Sequence, residues 1–276
     1  MSWPVAVYQY DWSIFFRSIF QPDGLILGGL ALTVSIAVVS QFIGVVLGTF
    51  AALGRMARAW PLRVISRFYI WFFRGTPLLV QLSFIYFGLG VAGIYRWPDF
   101  VVPGTGFTIN GAWQAGIVAL GLNEGAYMSE IVRAGILSID RGQMEAAKSL
   151  GMTYRLGMRR IVLPQAARVI VPPLGNEFNN MLKTTSLLIV IGVLELYGVF
   201  SAKNGSGDTS FHPFELFLAA AVWYLLLTTI WGVVQGRLER HFGRGTDTES
   251  DALGLRARLI GRRAPVTGGP PVTGGR

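Results

Sequence analysis

The sequence contains no cysteine. Disulfide scaffolds, thiolate metal sites and cysteine nucleophiles are therefore excluded. Histidine is almost missing too. Only His212 and His241 occur, too few for a histidine-rich metal centre. Lysine is equally scarce: Lys148 and Lys203 follow alanine and Lys183 follows leucine. A phosphate-cradling loop needs Gly-Lys-Ser/Thr, so this chain has no such route to ATP hydrolysis. Charge of either sign is thin. Charged residues make up 14% of the 276 positions, against roughly 25% in a typical soluble domain. An ordinary soluble enzyme is not the expectation.

What is abundant is apolar surface. Hydrophobic residues reach 52% and mean hydropathy is +0.48. That much apolar surface needs burial, which rules out a disordered chain. A membrane-spanning helix needs about 20 mostly apolar residues. Residues 25–53 run without a charge. Residues 64–94 form a second stretch, interrupted by Arg67 and by Arg74-Gly75-Thr76-Pro77. Residues 112–136 carry Glu124 and Glu130. Residues 178–200 are apolar except for Lys183 and Glu195, and 214–234 form a last clear run. The expectation is an all-α integral membrane protein of about five spans. Before them, residues 1–24 lack the basic start of a cleaved signal peptide. Their Trp3, Tyr8, Tyr10, Trp12, Phe15 and Phe16 suit an extracytoplasmic interfacial segment.

The net charge is +9, and its placement decides its meaning. Arg55, Arg58, Arg63 and Arg67 follow the first span without an acid. Arg133, Arg141, Lys148, Arg155, Arg159, Arg160 and Arg168 cluster after the third. The loops carrying Arg96 with Asp99, and Lys203 with Asp208, are nearly neutral. Basic and neutral loops alternate, so the positive-inside rule puts the N-terminus outside and the C-terminus in the cytoplasm. An odd number of spans requires the same opposite-sided ends. The surplus thus reads as orientation beside anionic lipid, with no nucleic-acid partner. Residues 25–236 are expected to form the membrane domain. Residues 237–276 form a basic cytoplasmic tail with Pro-Val-Thr-Gly-Gly at 265–269 and 271–275, a composition that reads as disordered. Gly44 and Gly48 make a G-x-x-x-G, read as close helix packing.

The long basic loop is the most informative segment. Asp140 is placed to cap a helix over Arg141–Leu150, with Gln143 completing a capping box. Gly151 is placed to end it. Thr153 caps a second helix, Tyr154–Leu163, which Pro164 breaks or kinks. Its many apolar residues need cover. Two readings follow: an amphipathic pair lying on lipid, or a docking knob in which Ala146 and Ala147 permit close approach.

Glu145-Ala146-Ala147, three residues, Gly151, nine residues, then Ile161-Val162-Leu163-Pro164 resembles the EAA loop of ABC importer permeases at every consensus position. Phe73-Arg74-Gly75-Thr76-Pro77-Leu78-Leu79-Val80-Gln81 and Pro172-Pro173-Leu174-Gly175-Asn176-Glu177-Phe178 are similar to stretches of the polar amino acid permeases, as is Lys183-Thr184-Thr185-Ser186-Leu187. The resemblance covers about residues 20–240 and implies a type I ABC importer (MetI-like) transmembrane domain in a bacterial inner membrane. It implies that residues 138–172 couple to a cytoplasmic ATPase dimer through Glu145, Ala146, Ala147, Gly151, Ile161, Leu163 and Pro164. A second permease subunit, identical or different, would complete the pathway, and an extracytoplasmic solute-binding protein would deliver polar or charged amino acids or opines. ATP and magnesium would sit on the ATPase; this chain would carry no cofactor, metal or catalytic site.

Charges inside spans are functional candidates, since each costs at least about 2.5 kcal/mol to insert. Glu124 and Glu130, six apart, fall on different helix faces. Asn123 and Tyr127 share the face of Glu130, which lines a cavity or simply pairs with Arg133. Lys183 snorkels or serves as a counter-charge. Thr184 and Ser186 can bond backbone or ligand. Thr76 lies at a break that either contributes ligand groups or is a kinked junction near the cytoplasm. Glu195 is read as structure or gate. The rival function is a secondary transporter or channel for small polar solutes. Inverted repeats would favour it, but five spans with one unique loop do not suggest them. An intramembrane enzyme would need clustered acid/base groups, and the two glutamates of the third span face apart.

Overall fold

A computed structural model of the chain describes residues 8–242. Residues 1–7, with Trp3, and residues 243–276, with the repeated pentapeptide, lie outside the described residues. The order is α1 (Trp12–Phe20), α2 (Gly24–Met56), α3 (Trp60–Gly75), α4 (Leu78–Ser83), a π-helical turn and α5 (Leu89–Val91), a hairpin of β1 (Phe100–Val101) with β2 (Thr108–Ile109), α6 (Gly111–Leu137), α7 (Arg141–Ser149), α8 (Tyr154–Gly157), a second π turn, α9 (Leu163–Thr184), a 3-10 stretch to Ile191, α10 (Leu196–Gly205) and α11 (Pro213–Phe242).

Helices α2 and α11 are each long and apolar enough to cross a membrane. Up to four spans result if each of two bent pairs is one span. Helix α6 has the length, 27 residues, but Gln114, Asn123 and Glu124 dilute its apolar character. It is the hub of the packing. Gly44 and Gly48 of α2 face it: a Cβ at Gly44 would stand 2.5 Å from Glu124 Cγ, and one at Gly48 would collide with Met128. Reciprocally, Gly121 receives Ile43 and Gly125 receives Leu47. Lipid offers no hydrophobic drive between helices, so such close approach supplies the van der Waals contact that holds them. The G-x-x-x-G is thus a seam within the chain.

Three apolar clusters join the rest. Ile36, Leu82, Leu120, Leu182 and Leu188 tie α2, α4, α6, α9 and the 3-10 stretch together. Ile14, Ile26, Leu196, Phe200 and Leu216 join α1, α2, α10 and α11. Ala52, Val132, Ile136, Val162 and Ala166 anchor the long loop to α2 and α6. Much of the outer surface stays apolar, including Phe42, Phe50, Trp71 and Leu225. A membrane solvates such a surface; water does not.

The break expected at Arg74-Gly75-Thr76-Pro77 is present: α3 and the α4–α5 rod meet at 105°, because Pro77 cannot continue the ladder. Three expectations need correction. The second loop helix is not broken at Pro164. The turn Met158–Val162 is π-helical, with the Leu163 amide bonding the Met158 carbonyl five residues back. This wider turn makes room for the proline ring, and the helix runs on into α9 with Pro172 and Pro173 inside it. The fourth span is accordingly not 178–200. The helical rod begins near Tyr154, ends at Ile191 where Gly192 turns left-handed (φ 82), and meets α10 at 44°. Finally, residues 237–242 continue α11 and are not disordered tail. Gln235 Nε2 donates to Glu239 Oε1 at 2.8 Å, one helical turn on.

The helix ends around α1 and α10 are held by polar contacts. Asp23 caps α2, accepting from the Ile26 amide at 3.0 Å, and receives Lys203 Nζ at 2.5 Å. Glu215 accepts from the Tyr8 hydroxyl and, at 2.7 Å, from the Asp11 amide. Residues 8–23 therefore pack as α1 against α11, with Gly24 already inside α2.

Candidate functional site

The corner formed by α7 and α8 folds as its residues require. Asp140 caps α7 by accepting from the Gly142 amide. Gln143 does not close the box: its Oε1 instead faces Gln165 Nε2 at 3.4 Å. Gly151 adopts φ 79, a left-handed state cheap only for glycine. Thr153 caps α8, accepting from the Leu156 amide. The corner closes on itself around Gly157, where a Cβ would meet Met144 Sδ at 3.0 Å and Ala147 Cβ at 3.3 Å.

This separates two roles. Ala147 is buried, and Met144, Met158 and Val162 face the body of the protein. Glu145, Ala146 and Gly151 are exposed, as are Leu163 and Pro164, and Ile161 is half-buried. Leu150 is 79% exposed and Tyr154 59%. Leu150 and Tyr154 thus form an outward apolar surface beside Glu145, on a rigid cap-and-glycine frame.

The second locus is the break between α3 and α4. A broken helix frees carbonyls that must find donors at membrane depth. Gln81 supplies them: its Nε2 lies 2.9 Å from Phe73 O, 3.0 Å from Thr76 O and 2.7 Å from Thr76 Oγ1. Asn123 Nδ2 donates to Phe73 O at 3.1 Å and to Gln81 Oε1 at 3.0 Å. The Thr76 hydroxyl donates to Phe72 O. Tyr69 braces the same wall by donating to Leu122 O at 2.6 Å. Asn123 and Thr76 thus hold backbone, and Gln81 is the organiser. Its position was legible in the sequence only as part of the quoted stretch.

Asn123, Tyr127 and Glu130 do share a face of α6, and that face meets the break. Glu130 pairs with Arg133, as its i+3 spacing suggests, with both contacts at 3.0 Å. It also accepts from Arg55, and from Arg74 at 3.4 Å. Arg74 sits over the Tyr127 ring, 5.5 Å from its centre. Arg55 lies 75 positions from Glu130, and no local signal announced that pair.

The remaining candidates lie elsewhere. Glu124 is buried against Gly44, and its Oε1 has no hydrogen-bond partner among the described residues. Lys183 is not near the start of a helix; it lies in the last turn of α9, because that helix begins fifteen residues earlier than apolarity suggested, at Leu163. Thr184 donates to Asn180 O and Ser186 to Lys183 O. Lys183 and Ser186 border a pocket of ≈ 320 Å³ with Tyr197, Phe217, Ala220, Ala221 and Tyr224. The eight expected pathway residues therefore fall into three places rather than one cavity.

Glu195 lies between the 3-10 stretch and α10. It is fully buried. It caps α10 through the Gly198 amide at 2.9 Å and accepts from Thr33 Oγ1 at 3.0 Å and the Tyr224 hydroxyl at 2.7 Å. It is a structural staple joining α2, α10 and α11.

Broken and unbroken apolar helices, packed round a polar break and carrying a rigid capped corner, fit a membrane transport subunit. Residues 44–244 match the family described as the binding-protein-dependent transport system inner membrane component, and the chain belongs to that family. It is 38% identical over 265 residues to the arginine transport system permease protein ArgU of Corynebacterium glutamicum, covering 95% of this chain and 80% of that protein. It is 43% identical over 209 residues to the octopine transport system permease protein OccM of Rhizobium radiobacter, covering 74% and 80%. A chain of a solved amino acid ABC transporter with histidines superposes with a TM-score of 0.73 at 36% identity, covering 85% of this chain and all of that one. The MetNI methionine ABC transporter, at 19% identity and a TM-score of 0.61, shares the fold.

Proposed function

We propose that this chain is the transmembrane subunit of an ATP-driven importer of polar or charged amino acids. The observation that carries the reading is the exposed corner. Glu145, Ala146 and Leu150 stand outward on one side of Gly151, and Tyr154, Leu163 and Pro164 on the other. A cytoplasmic ATPase seats on that surface, and ATP and magnesium are held there and not on this chain. Ala147 contributes from within, keeping the corner compact. A solute-binding protein delivers the substrate to the outer face, and a second permease subunit covers part of the exposed apolar surface in the inner membrane. The N-terminus lies outside and the C-terminus inside. The substrate class is supported by relatives whose names refer to arginine, octopine, nopaline and cystine. Glu124, Tyr127, Glu130 and Lys183 border the substrate route; Asn123, Thr76, Thr184 and Ser186 shape its backbone.

The test is co-purification in mild detergent. The ATPase is retained by the wild type and lost from Gly151→Val, whose left-handed site penalises a branched residue by about 1–2 kcal/mol, and from Glu145→Arg. Retention by both variants, in monodisperse preparations, contradicts the reading.

A further inference from the structure

Two exposed charges of opposite sign share one cleft without pairing. The cleft, of ≈ 530 Å³, lies where α1 and the start of α2 meet the end of α10 and the loop after it. Small-molecule sites span about 300–1,000 Å³. Arg17 stands on the α1 side and Asp208 on the loop side. Neither makes an ion pair among the described residues. The other charges in the cleft are engaged. Lys203 Nζ holds Asp23 Oδ2, and Asp11 Oδ1 accepts from the Ser13 amide and hydroxyl. Three acids thus face two bases, so a purely anionic ligand is disfavoured. A ligand that carries both signs meets Arg17 and Asp208 together.

One wall of the cleft is apolar and open. Leu25 and Leu194 line it and are 65% and 53% exposed. Phe16 and Phe20, on either side of Arg17 in α1, are exposed as well. Helix α2 is long and apolar enough to cross a membrane. Its charged cap, Asp23, stands two residues before Leu25. On that helix the change from charge to exposed hydrocarbon therefore falls at the cleft itself. A soluble zwitterion gains little from such a wall. A phospholipid uses both parts, its headgroup among the charges and its chains against the leucines.

We propose that this cleft binds an aminophospholipid. The phosphate sits on Arg17, whose planar fork of donors matches phosphate oxygens. The primary ammonium sits on Asp208, reinforced by Asp11, and the acyl chains run along Leu25 and Leu194. A primary ammonium brings three hydrogen-bond donors to these carboxylates; a choline headgroup brings none. The inference holds whichever solute the permease carries.

The experiment titrates the full chain, purified in mild detergent, with phosphatidylethanolamine, phosphatidylcholine and phosphatidylglycerol of identical acyl chains, read by native mass spectrometry. The wild type binds phosphatidylethanolamine at least about tenfold better than either other lipid, the scale of one charge-assisted bond. Asp208→Asn lowers phosphatidylethanolamine to the phosphatidylcholine level and leaves phosphatidylcholine unchanged. Arg17→Gln weakens both about tenfold, since both carry the phosphate, and Arg17→Lys falls between. Ser206→Trp, which fills the cleft from the loop side, removes the preference by a separate route. Equal binding of the three lipids by the wild type overturns the site. So does a preference that survives Asp208→Asn or Ser206→Trp, or phosphatidylcholine binding untouched by Arg17→Gln; these outcomes mark solvated surface charges. Glycerophosphoethanolamine, the same headgroup without chains, and L-arginine bind far more weakly than the lipid. Either one matching its affinity overturns the lipid as occupant and marks a site for a soluble zwitterion.

Discussion

Gly44 of α2 lies so close to Glu124 of α6 that a Cβ on the glycine would stand 2.5 Å from the glutamate Cγ. A real side chain there forces the two central helices apart. Gly44→Ala is expected to lower stability by about 1–3 kcal/mol, the usual range for overpacking. Gly28→Ala, on the same helix with nothing within 4 Å of the added carbon, is the control. It should be neutral or slightly stabilising. Thermal unfolding of the two variants in one detergent checks the contrast.

The carboxylate of Glu195 sets a second prediction. It is fully buried and accepts three hydrogen bonds, from Thr33, Tyr224 and the Gly198 amide. Glu195→Ala leaves all three donors without their partner, at about 1–3 kcal/mol for each donor left unsatisfied. Tyr224→Phe removes one donor and should cost less. The ordering of melting temperatures, wild type above Tyr224→Phe above Glu195→Ala, is the check. Limited proteolysis near Gly192 should quicken in the same order.

Helices α2 and α11 were legible in the sequence, because long charge-free runs have few alternatives. The capped corner was legible too: Asp140, Gly151 and Thr153 act through local backbone chemistry that the sequence carries at short range. Pro164 misled for a physical reason. The rule that proline breaks helices assumes α geometry, and the π turn at Met158–Val162 relaxes that geometry. The Glu130 cluster was half visible. Arg133 lies three residues away, whereas Arg55 and Arg74 arrive only through the packing of α2 and α3 on α6.

The ion pair between Asp23 and Lys203 gives a pH prediction. Burial pushes the Asp23 carboxyl upward, but the Lys203 ammonium and the Ile26 amide outweigh it and hold it below the ordinary value, near 3.9. A carboxyl depressed in the folded state stabilises the fold fully above its unfolded pKa. That contribution fades as pH falls through the folded value. The melting temperature difference between wild type and Asp23→Asn should therefore be constant from pH 7 to 5 and shrink below about pH 4. A difference that grows on acidification contradicts the pairing.

Gln81 gives a prediction about the break. Its amide serves the Phe73 and Thr76 carbonyls and accepts from Asn123. Gln81→Leu keeps the volume and removes these bonds, leaving buried polar groups unsatisfied at about 1–3 kcal/mol each. Hydrogen exchange at residues 73–81 should quicken markedly, while exchange in α11 stays as it was. Unchanged exchange at the break would show that its backbone is held by other means.

The central claim is that this chain passes solute only when an ATPase drives it through the corner at Gly151. Uptake of labelled L-arginine is to be measured in proteoliposomes holding the permease and ATPase, with solute-binding protein on the outer side. Accumulation should require ATP inside and should fall to background in Gly151→Val. Uptake at full rate without ATP, or by the purified permease alone, would contradict the account.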